Sequence, residues 1–427
     1  MKAVVLGLGA SGEAAARLLV HQGHAVTGVD QRTGLAPIPG VHLELGEPRI
    51  ETFTAADLVV VSPGVPPTHP GVVAAEAAGI PVWSELALAL DHLGDVPVVG
   101  ITGTNGKSTV THFTGQLLAR EHRVFVGGNL GVPVSQAALE GDHDVYVLET
   151  SSYQLERPGP LRPHIGVILN LTPDHLARHG TMEGYAAAKA QLFDNLHPDD
   201  VRLVAREPLL EAAVADKPGF AAWIGEHVRR DGETVHVDLP GCRATVTLAG
   251  FTVAGQHNRD NAAVAVALAL YMGASPQAVQ DGIPALTALD HRMATVPTTD
   301  GLRWIDDSKS TNVDSTLAAL RGRTTPTVLL LGGEAKGPGF SALTGHLEAV
   351  KHIVCFGGSG RDIHDELSLC GVATFRVDTL EEAVAMARGL ASTGDDVLLS
   401  PGCASFDAFT DFTHRGRVFA ALARGDA

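Results

Sequence analysis

Apolar residues in this chain come mostly in short unbroken runs. The run "KAVVLG" at residues 2–7 predicts a buried strand, and "GEAAARLLVHQG" behind it predicts a helix closed by Gly23. "AVTGVD" predicts a second strand, "DLVVVSPG" another, "PGVVAAEAAG" a helix and "IPVW" a further extended piece. Continuous apolar strands alternating with helices specify a parallel sheet covered on both faces. This first unit is complete near Leu93.

A second run opens with "VPVVGITG" and continues through "RVFVGGN", "DVYVLETSSYQ" and "IGVILNLTPDH". From about residue 200 to about 252 the pattern changes, and "ETVHVDLPG" and "CRATVTLAGFTVAG" predict short antiparallel strands. "NRDNAAVAVALALYMG" predicts an apolar helix. After "HRMATVPTTDGLRWIDDSKSTN" a third run has strands at "TVLLLGG", "HIVCFGG" and "DVLLSPG", with helices between. The chain shows no repeat of short fixed period and no low-complexity tract. The expected fold is α/β in three domains. These are a Rossmann-like domain over 1–93, a P-loop ATPase-like α/β domain with a small antiparallel β portion over 94–290, and a Rossmann-like α/β domain over 291–427.

Length and composition agree with this division. At 427 residues the chain is too long for one ordinary domain, and 45% hydrophobic residues suffice for several cores. The 31 basic and 48 acidic residues leave a net charge of −17, which excludes a non-specific nucleic-acid binder. Small anions stay open as ligands, because lysines and helix N-termini can hold them locally. The four cysteines are scattered without CxxC or CxxH spacing, so a disulfide framework or zinc site is not expected. The apolar start is short and soon interrupted by Glu13 and Arg17, which fits a first strand better than a signal peptide. No run reaches the length of a membrane span. A soluble, cytoplasmic protein is expected, and no oligomerisation motif stands out, so a monomer is expected too.

Two glycine loops carry the chemistry. "GLGASG", Gly7 to Gly12, follows a strand, precedes a helix, and has Asp30 at the end of the next strand, 18 residues past Gly12. This is the dinucleotide fingerprint in its proper context. It fits NAD or FAD, a bare tight turn, or another nucleotide diphosphate with Asp30 near a sugar. "TGTNGKST", Thr102 to Thr109, is the stronger signal. Backbone N–H groups at such a strand–turn–helix cradle phosphate, Lys107 adds a point charge, and Ser108 offers a hydroxyl to Mg²⁺. Ile101 stands where the usual spacing has its first glycine. ATP is the expected ligand.

Glu149 closes the strand "DVYVLE" and so places a carboxylate at the sheet edge where α/β proteins bind ligands. Asp174 and His175 lie just past another strand; "NLTPDH" reads equally as a turn with Asp174 capping the next helix. Lys189 falls in the helix "YAAAKAQLF". By residue type alone it reads as a surface lysine with its head in water.

Taken together, "GTNGKST", "ETSSYQLE", "NLTPDHLARHGTMEGYAAAKAQLF", "GQHNRDNAAVA" and "HRMATV" resemble the Mur ligases, in that family's order and over essentially the whole chain. The resemblance implies an ATP-dependent ligase of peptidoglycan precursor synthesis. "WIDDSKSTNVDST" and "LLSPGCASFDAFTDFTHRG" resemble the branch that joins D-glutamate to UDP-N-acetylmuramoyl-L-alanine. Within the family pattern, Asp306 replaces a more usual Asn, Gly402 an Ala and Tyr153 a Phe, and "GGEAKGPGF" varies a usual "GGDGK".

By resemblance, ATP belongs to Gly103, Thr104, Asn105, Gly106, Lys107, Ser108 and Thr109, with Asn258, Asn261, Arg292 and Asp307 around adenine and ribose. The UDP part of the substrate falls to Gly9, Ala10, Ser11, Gly12, Asp30, Gln31 and Arg32. D-Glutamate falls to Lys309, Thr311, Lys336, Ser405, Phe406 and Phe412. Lys107, Glu149, His175, Lys189 and Asn129 are the implied catalytic group. Two Mg²⁺ ions are implied, on Ser108, Glu149, His175 and Lys189. An ammonium cannot ligate Mg²⁺, and in the family this lysine is carbamylated by CO₂. The resemblance also implies closure of the C-terminal domain over the central one.

Overall fold

The computed structural model describes residues 1–129, 131–253, 255–335 and 339–426. They form two compact units, one of residues 1–251 and 260–286, the other of 252–259 and 287–427. The first unit holds two sheets and the second holds one.

The first sheet contains β1 (Lys2–Leu6), β2 (Ala25–Asp30), β3 (Val41–Leu45), β4 (Leu58–Val61) and β5 (Val82–Ser84), in the order β3-β2-β1-β4-β5. All of its pairings are parallel. Its helices are α1 (Ala10–His21), α2 (Ile50–Thr54), α3 (Pro70–Ala77) and α4 (Glu85–Leu93). The chain reverses direction across the sheet between β1 and β4, so the "GLGASG" loop after β1 lies at a topological switch point, where such sheets bind ligands. The edge strand β3 escaped the pattern because it is only partly buried and carries no continuous apolar run.

The second sheet has nine strands: β6 (Val98–Thr102), β7 (Val124–Gly128), β8 (Val145–Glu149), β9 (Ile165–Ile168), β10 (Val201–Ala205), β11 (Phe220–Ile224), β12 (Val228–Asp231), β13 (Thr234–Leu239) and β14 (Cys242–Thr247). Its order is β14-β13-β12-β11-β10-β9-β6-β8-β7. Only β12-β13-β14 run antiparallel, as the change of pattern indicates. β10 and β11 instead extend the parallel part. Helices α5 (Lys107–Leu118), α6 (Val134–Glu140), α7 (Ser152–Leu155), α8 (Leu176–His179), α9 (Met182–Ala190), α10 (Pro208–Val214), α11 (Gln256–Tyr271) and α12 (Pro276–Gly282) follow or separate these strands. β6 is buried along its whole length and lies between β8 and β9. Its partners across the last rungs are Glu149 and Ile168, so the loops after all three strands emerge side by side.

The sheet of the second unit contains β15 (Ala294–Val296), β16 (Arg303–Asp306), β17 (Thr327–Gly332), β18 (Val350–Phe356), β19 (Ala373–Arg376) and β20 (Asp396–Leu399), in the order β15-β16-β20-β17-β18-β19. Helices α13 (Val313–Leu320), α14 (Gly360–Leu367), α15 (Leu380–Leu390) and α16 (Phe412–Arg424) accompany it. Every residue of β17 is buried, which is why a central parallel strand reads as one apolar run. β15 alone is antiparallel. Asp306 pairs with Leu399, so the "DDSKST" and "SPGCAS" loops leave adjacent strands.

Candidate active site

The loop after β6 is shaped by two glycines. Gly103 has φ +146°, and a side chain there would come within 3.1 Å of Leu169 Cβ. Gly106, at φ +84°, is the N-cap of α5, and a Cβ on it would lie 2.7 Å from Asn261 Oδ1. A glycine cap has no side-chain acceptor to offer the first turn, which suits a helix end that receives an anion from outside. The neighbouring strand clamps this loop. Asn170, just past β9, accepts from the backbone of Thr104 and Asn105 at 3.1 and 2.8 Å and donates to Asn105 O at 3.0 Å. Thr172 N donates to Thr104 Oγ1 at 3.0 Å, and that hydroxyl donates to Thr172 O at 3.2 Å.

Two lysines end on this loop. Lys107 Nζ donates to the carbonyls of Gly103 and Thr104 at 2.9 and 2.7 Å. Lys189 is 1% exposed, and its Nζ donates to Gly103 O at 2.8 Å. This overturns the surface-lysine reading of residue type alone. Tyr185 and Lys189 are four apart on α9, and Ala186 and Ala190 flank them, so all four share the buried face. Burial, and after it the positive charge of Lys107, push the Lys189 amine well below the ordinary lysine range; Asp174 and Glu149 pull the other way. The Tyr185 ring, 4.4 Å from Nζ, favours the charged form but does not outweigh the burial.

Glu149 is 2% exposed at the end of β8, and its Oε1 accepts from Asn129 Nδ2 at 2.9 Å. The backbone repeats the link, Asn129 N donating to Glu149 O at 2.8 Å. His175, not Asp174, is the N-cap of α8; it takes a left-handed conformation (φ 56°), with Asp174 Oδ1 accepting from its N–H at 2.8 Å. The imidazole Nδ1 lies 3.0 Å from Tyr153 Oη, and Nε2 lies 3.5 Å from Asp174 Oδ2.

In the first sheet, Gly9 caps α1, and Ala10, Ser11 and Gly12 form its first turn. Asp30 Oδ2 accepts from Leu8 N at 2.7 Å, and the exposed Arg32 guanidinium pairs with the same carboxylate at 2.9 Å. The Arg32 hydrogen bond holds Asp30 far below the usual carboxylate range. Gln31 is exposed beside them.

In the second unit, Arg292 sits between two residues of positive φ, His291 and Met293. Asp307 is 5% exposed and accepts from Ser400 Oγ at 2.8 Å and from Met293 N at 3.2 Å. Burial pushes its carboxyl up to about 6. Lys309 Nζ stands 3.8 Å above the Phe412 ring, Thr311 is half-buried and Ser405 is buried. Phe406 is 71% exposed, an unexpected position for a pocket wall. Asn258, on α11, is buried. Lys336 lies outside the described residues.

Comparison with known proteins matches residues 1–84 to the Mur ligase MurD-like N-terminal domain, 101–269 to the Mur ligase middle domain and 291–403 to the Mur ligase glutamate ligase domain. The UDP-N-acetylmuramoylalanine–D-glutamate ligase of Anaeromyxobacter dehalogenans is 42% identical, over the whole of this chain and 98% of its own. That of Myxococcus xanthus is 42% identical over 99% of this chain and 97% of its own. The chain belongs to the Mur ligase family. Among solved structures, the fold is like that of UDP-N-acetylmuramate-alanine ligase from Thermotoga maritima (20% identity, all of both chains, TM-score 0.60). It is also like that of the MurF ligase of the same organism in complex with ADP (16% identity, 100% of this chain and 95% of that one, TM-score 0.62).

Several residues inside the quoted stretches support this candidate site in ways that their residue type does not announce. Asn170 and Thr172 precede the visible "PDH" and hold the loop by backbone bonds that no residue pattern announces. Arg178 donates to Glu156 at 2.6 Å and to Val65 O at 3.1 Å, tying the segment after β4 to α7 and α8. Arg415 is fully buried in the second unit and donates to the carbonyls of Ser308, Gly332, Cys403 and Ala404, so one side chain joins three loops. α16 carries three arginines, and residue type alone does not say which of them is buried in that role.

Proposed function

We infer that this Mur ligase joins the carboxyl group of UDP-N-acetylmuramoyl-L-alanine to the amine of D-glutamate, using ATP, in peptidoglycan precursor synthesis. The observation that carries the reading is the match over its whole length to ligases of that name. A sibling ligase that adds another amino acid is the less favoured alternative, because both relatives carry the D-glutamate name.

A carboxylate is a poor electrophile at neutral pH. Its oxygen attacks the γ-phosphorus of ATP, ADP leaves, and an acyl phosphate results. The D-glutamate nitrogen then attacks the acyl carbon, phosphate departs from the tetrahedral intermediate, and the amine loses its proton. Every partner is anionic, so the site must supply cations and fixed donors. The loop N–H groups of 103–109 and Lys107 are assigned to the β- and γ-phosphates. Asn258, Asn261, Arg292 and Asp307 are assigned to the adenosine part. Asn129, tied to Glu149, is assigned to the reacting acyl group.

The donor set fits Mg²⁺. Ser108 and Glu149 are hard oxygen donors buried at the ends of adjacent elements. Among the described residues no three His, Cys, Asp or Glu cluster as a cage for an ion. Mg²⁺ commonly keeps waters and takes phosphate oxygens, so few protein ligands suit it. Bound there, it would neutralise phosphate charge. His175 and Lys189 are assigned to a second ion. For Lys189 this requires the uncharged amine to attack CO₂ and lose a proton, giving a carbamate. The burial of Lys189 and its lowered proton affinity support that step.

Gly9, Ala10, Ser11, Gly12, Asp30, Gln31 and Arg32 are assigned to the UDP moiety, and Lys309, Thr311, Lys336, Ser405, Phe406 and Phe412 to D-glutamate. We keep 1–93, 94–290 and 291–427 as the corresponding domains. No helix among the described residues is long and apolar enough to cross a membrane; action in the cytoplasm as a monomer completes the reading. The test is ADP release with UDP-N-acetylmuramoyl-L-alanine and a panel of amino acids. D-Glutamate should support turnover; a preference for L-alanine, L-lysine or diaminopimelate would reassign the enzyme to a sibling activity.

A further inference from the structure

Arg292 is presented by an unusual turn. His291 has φ 62° and Met293 has φ 50°, so both neighbours occupy the left-handed region that side chains disfavour. Such backbone persists only where the surroundings determine it. Here they do so from several sides. Lys309 N donates to His291 O at 3.0 Å, Met293 N donates to Asp307 Oδ1 at 3.2 Å, and Arg292 N donates to Leu289 O at 3.2 Å. His291 Nδ1 lies 2.6 Å from Asp306 Oδ2, and Asp306 Oδ1 accepts from Ser308 N at 2.9 Å. The imidazole also rests on α16 where that helix has no side chain. A Cβ on Gly416 would lie 2.1 Å from His291 Nδ1 and 2.8 Å from Asp306 Oδ2.

We propose that Asp306 is a positioning residue for the nucleotide: its ion pair with His291 locks the turn that aims Arg292. The proposal rests on the assignment of Arg292 to ATP. Asp306 is only 3% exposed, so its charge needs partners; His291 pairs with it directly, and the buried Arg415 guanidinium on α16, which does not titrate in the histidine range, also attracts it. The Asp306 hydrogen bond keeps His291 protonated to higher pH than an ordinary histidine; burial opposes this, Asp290 reinforces it, and Arg417 on α16 opposes it. The turn is therefore held by a charged pair to higher pH than an ordinary histidine would allow, and loosens as His291 loses its proton.

The test compares Asp306→Asn, Arg292→Ala and the double variant by steady-state kinetics, varying each of the three substrates in turn. Asn keeps the shape and a hydrogen-bonding oxygen but removes the charge. Arg292→Ala should raise the ATP KM about tenfold or more, Asp306→Asn about fivefold, and the double variant no further than Arg292→Ala alone, since both act through one group. The D-glutamate and UDP-substrate KM values should stay within about twofold, and the ATP defect of Asp306→Asn relative to wild type should narrow as pH rises far enough for wild-type His291 to lose its proton, because the wild-type turn then loses its charged pair too. If Arg292→Ala leaves the ATP KM unchanged, the assignment of Arg292 fails and the proposal with it. If Arg292→Ala raises the ATP KM but Asp306→Asn does not, or raises all three KM values together, the proposal alone is overturned.

Discussion

Lys107 and Lys189 both end on the carbonyl oxygen of Gly103, at 2.9 and 2.8 Å. Two ammonium groups converging on one acceptor repel each other, and Lys189 is the deeper of the two. The relief is for Lys189 to give up its proton. A neutral buried amine is a nucleophile; an ammonium is not. The same geometry therefore favours the neutral Lys189 amine, the form that the proposed carbamylation needs, and leaves Lys107 as the lysine assigned to phosphate.

Lys189→Ala should lose nearly all turnover, and Lys189→Arg should not restore it, because a guanidinium stays cationic and cannot form a carbamate. With ¹³C-labelled bicarbonate, the wild-type protein should give a carbamate carbon resonance that both variants lack. Full activity in rigorously CO₂-depleted buffer, with no such resonance, would show that the amine works unmodified.

Lys107→Ala removes the point charge at the loop while leaving α5 and its glycine cap in place. We expect turnover to fall about a thousandfold, roughly 4 kcal/mol of transition-state stabilisation, with the melting temperature little changed. Ligation near the wild-type rate would remove ATP from this loop.

The contrast between these lysines shows what the sequence made legible. Lys107 follows a glycine turn at a helix start, so residue type and spacing announce it. Lys189 is one lysine in an alanine-rich helix, and its burial depends on which face of α9 packs against the loop after β6, a tertiary fact. Only the family resemblance singled it out. The parallel sheets were readable because central strands such as β6 and β17 are unbroken apolar runs. Edge strands β3, β15 and β19 were not, because half-exposed strands have no continuous apolar signature. Asn170 and Arg415 stand in quoted stretches, but their roles were hidden for a third reason: they serve other segments' backbone groups, which leave no mark in composition.

The two glycines of the N-terminal loop should separate in mutagenesis. A Cβ on Gly12 would lie 1.8 Å from Gly7 O, a backbone atom, whereas nothing lies within 4 Å of one on Gly9. Gly12→Ala must displace the β1–α1 turn and should cost about 2 kcal/mol or more of stability. Gly9→Ala, at φ −74°, should leave stability unchanged or raise it by up to about 1 kcal/mol. If the UDP moiety packs here, Gly9→Ala should nevertheless weaken UDP-substrate binding and spare ATP. Calorimetric titration and thermal unfolding of both variants check this; equal destabilisation by the two would contradict the packing.

Asp307 ties stability to pH in the direction opposite to a salt-bridged carboxylate. Burial raises its folded value from the ordinary 3.8 to about 6 despite the Ser310 and Ser400 hydroxyls and the charge of Arg292. A group whose folded value is raised contributes stability below its unfolded value, and that contribution is lost as pH rises through the folded one. The ligand-free protein should therefore be penalised between about pH 4 and about pH 6, and carry the full penalty, about 3 kcal/mol at most, at neutral pH. Asp307→Asn is neutral throughout. Its amide oxygen can accept from Met293 N, and its NH₂ can donate to hydroxyls that rotate to accept. The variant should melt higher than wild type at pH 7 to 8, and the gap should close by about pH 4. If Asp307 serves the nucleotide as assigned, the same variant should lose ATP affinity while gaining stability, a trade expected where a buried charge is kept for function. Scanning calorimetry across that range, with ATP titration at neutral pH, decides it. A variant less stable than wild type at pH 7.5 would mean that the carboxylate's hydrogen bonds outweigh its burial.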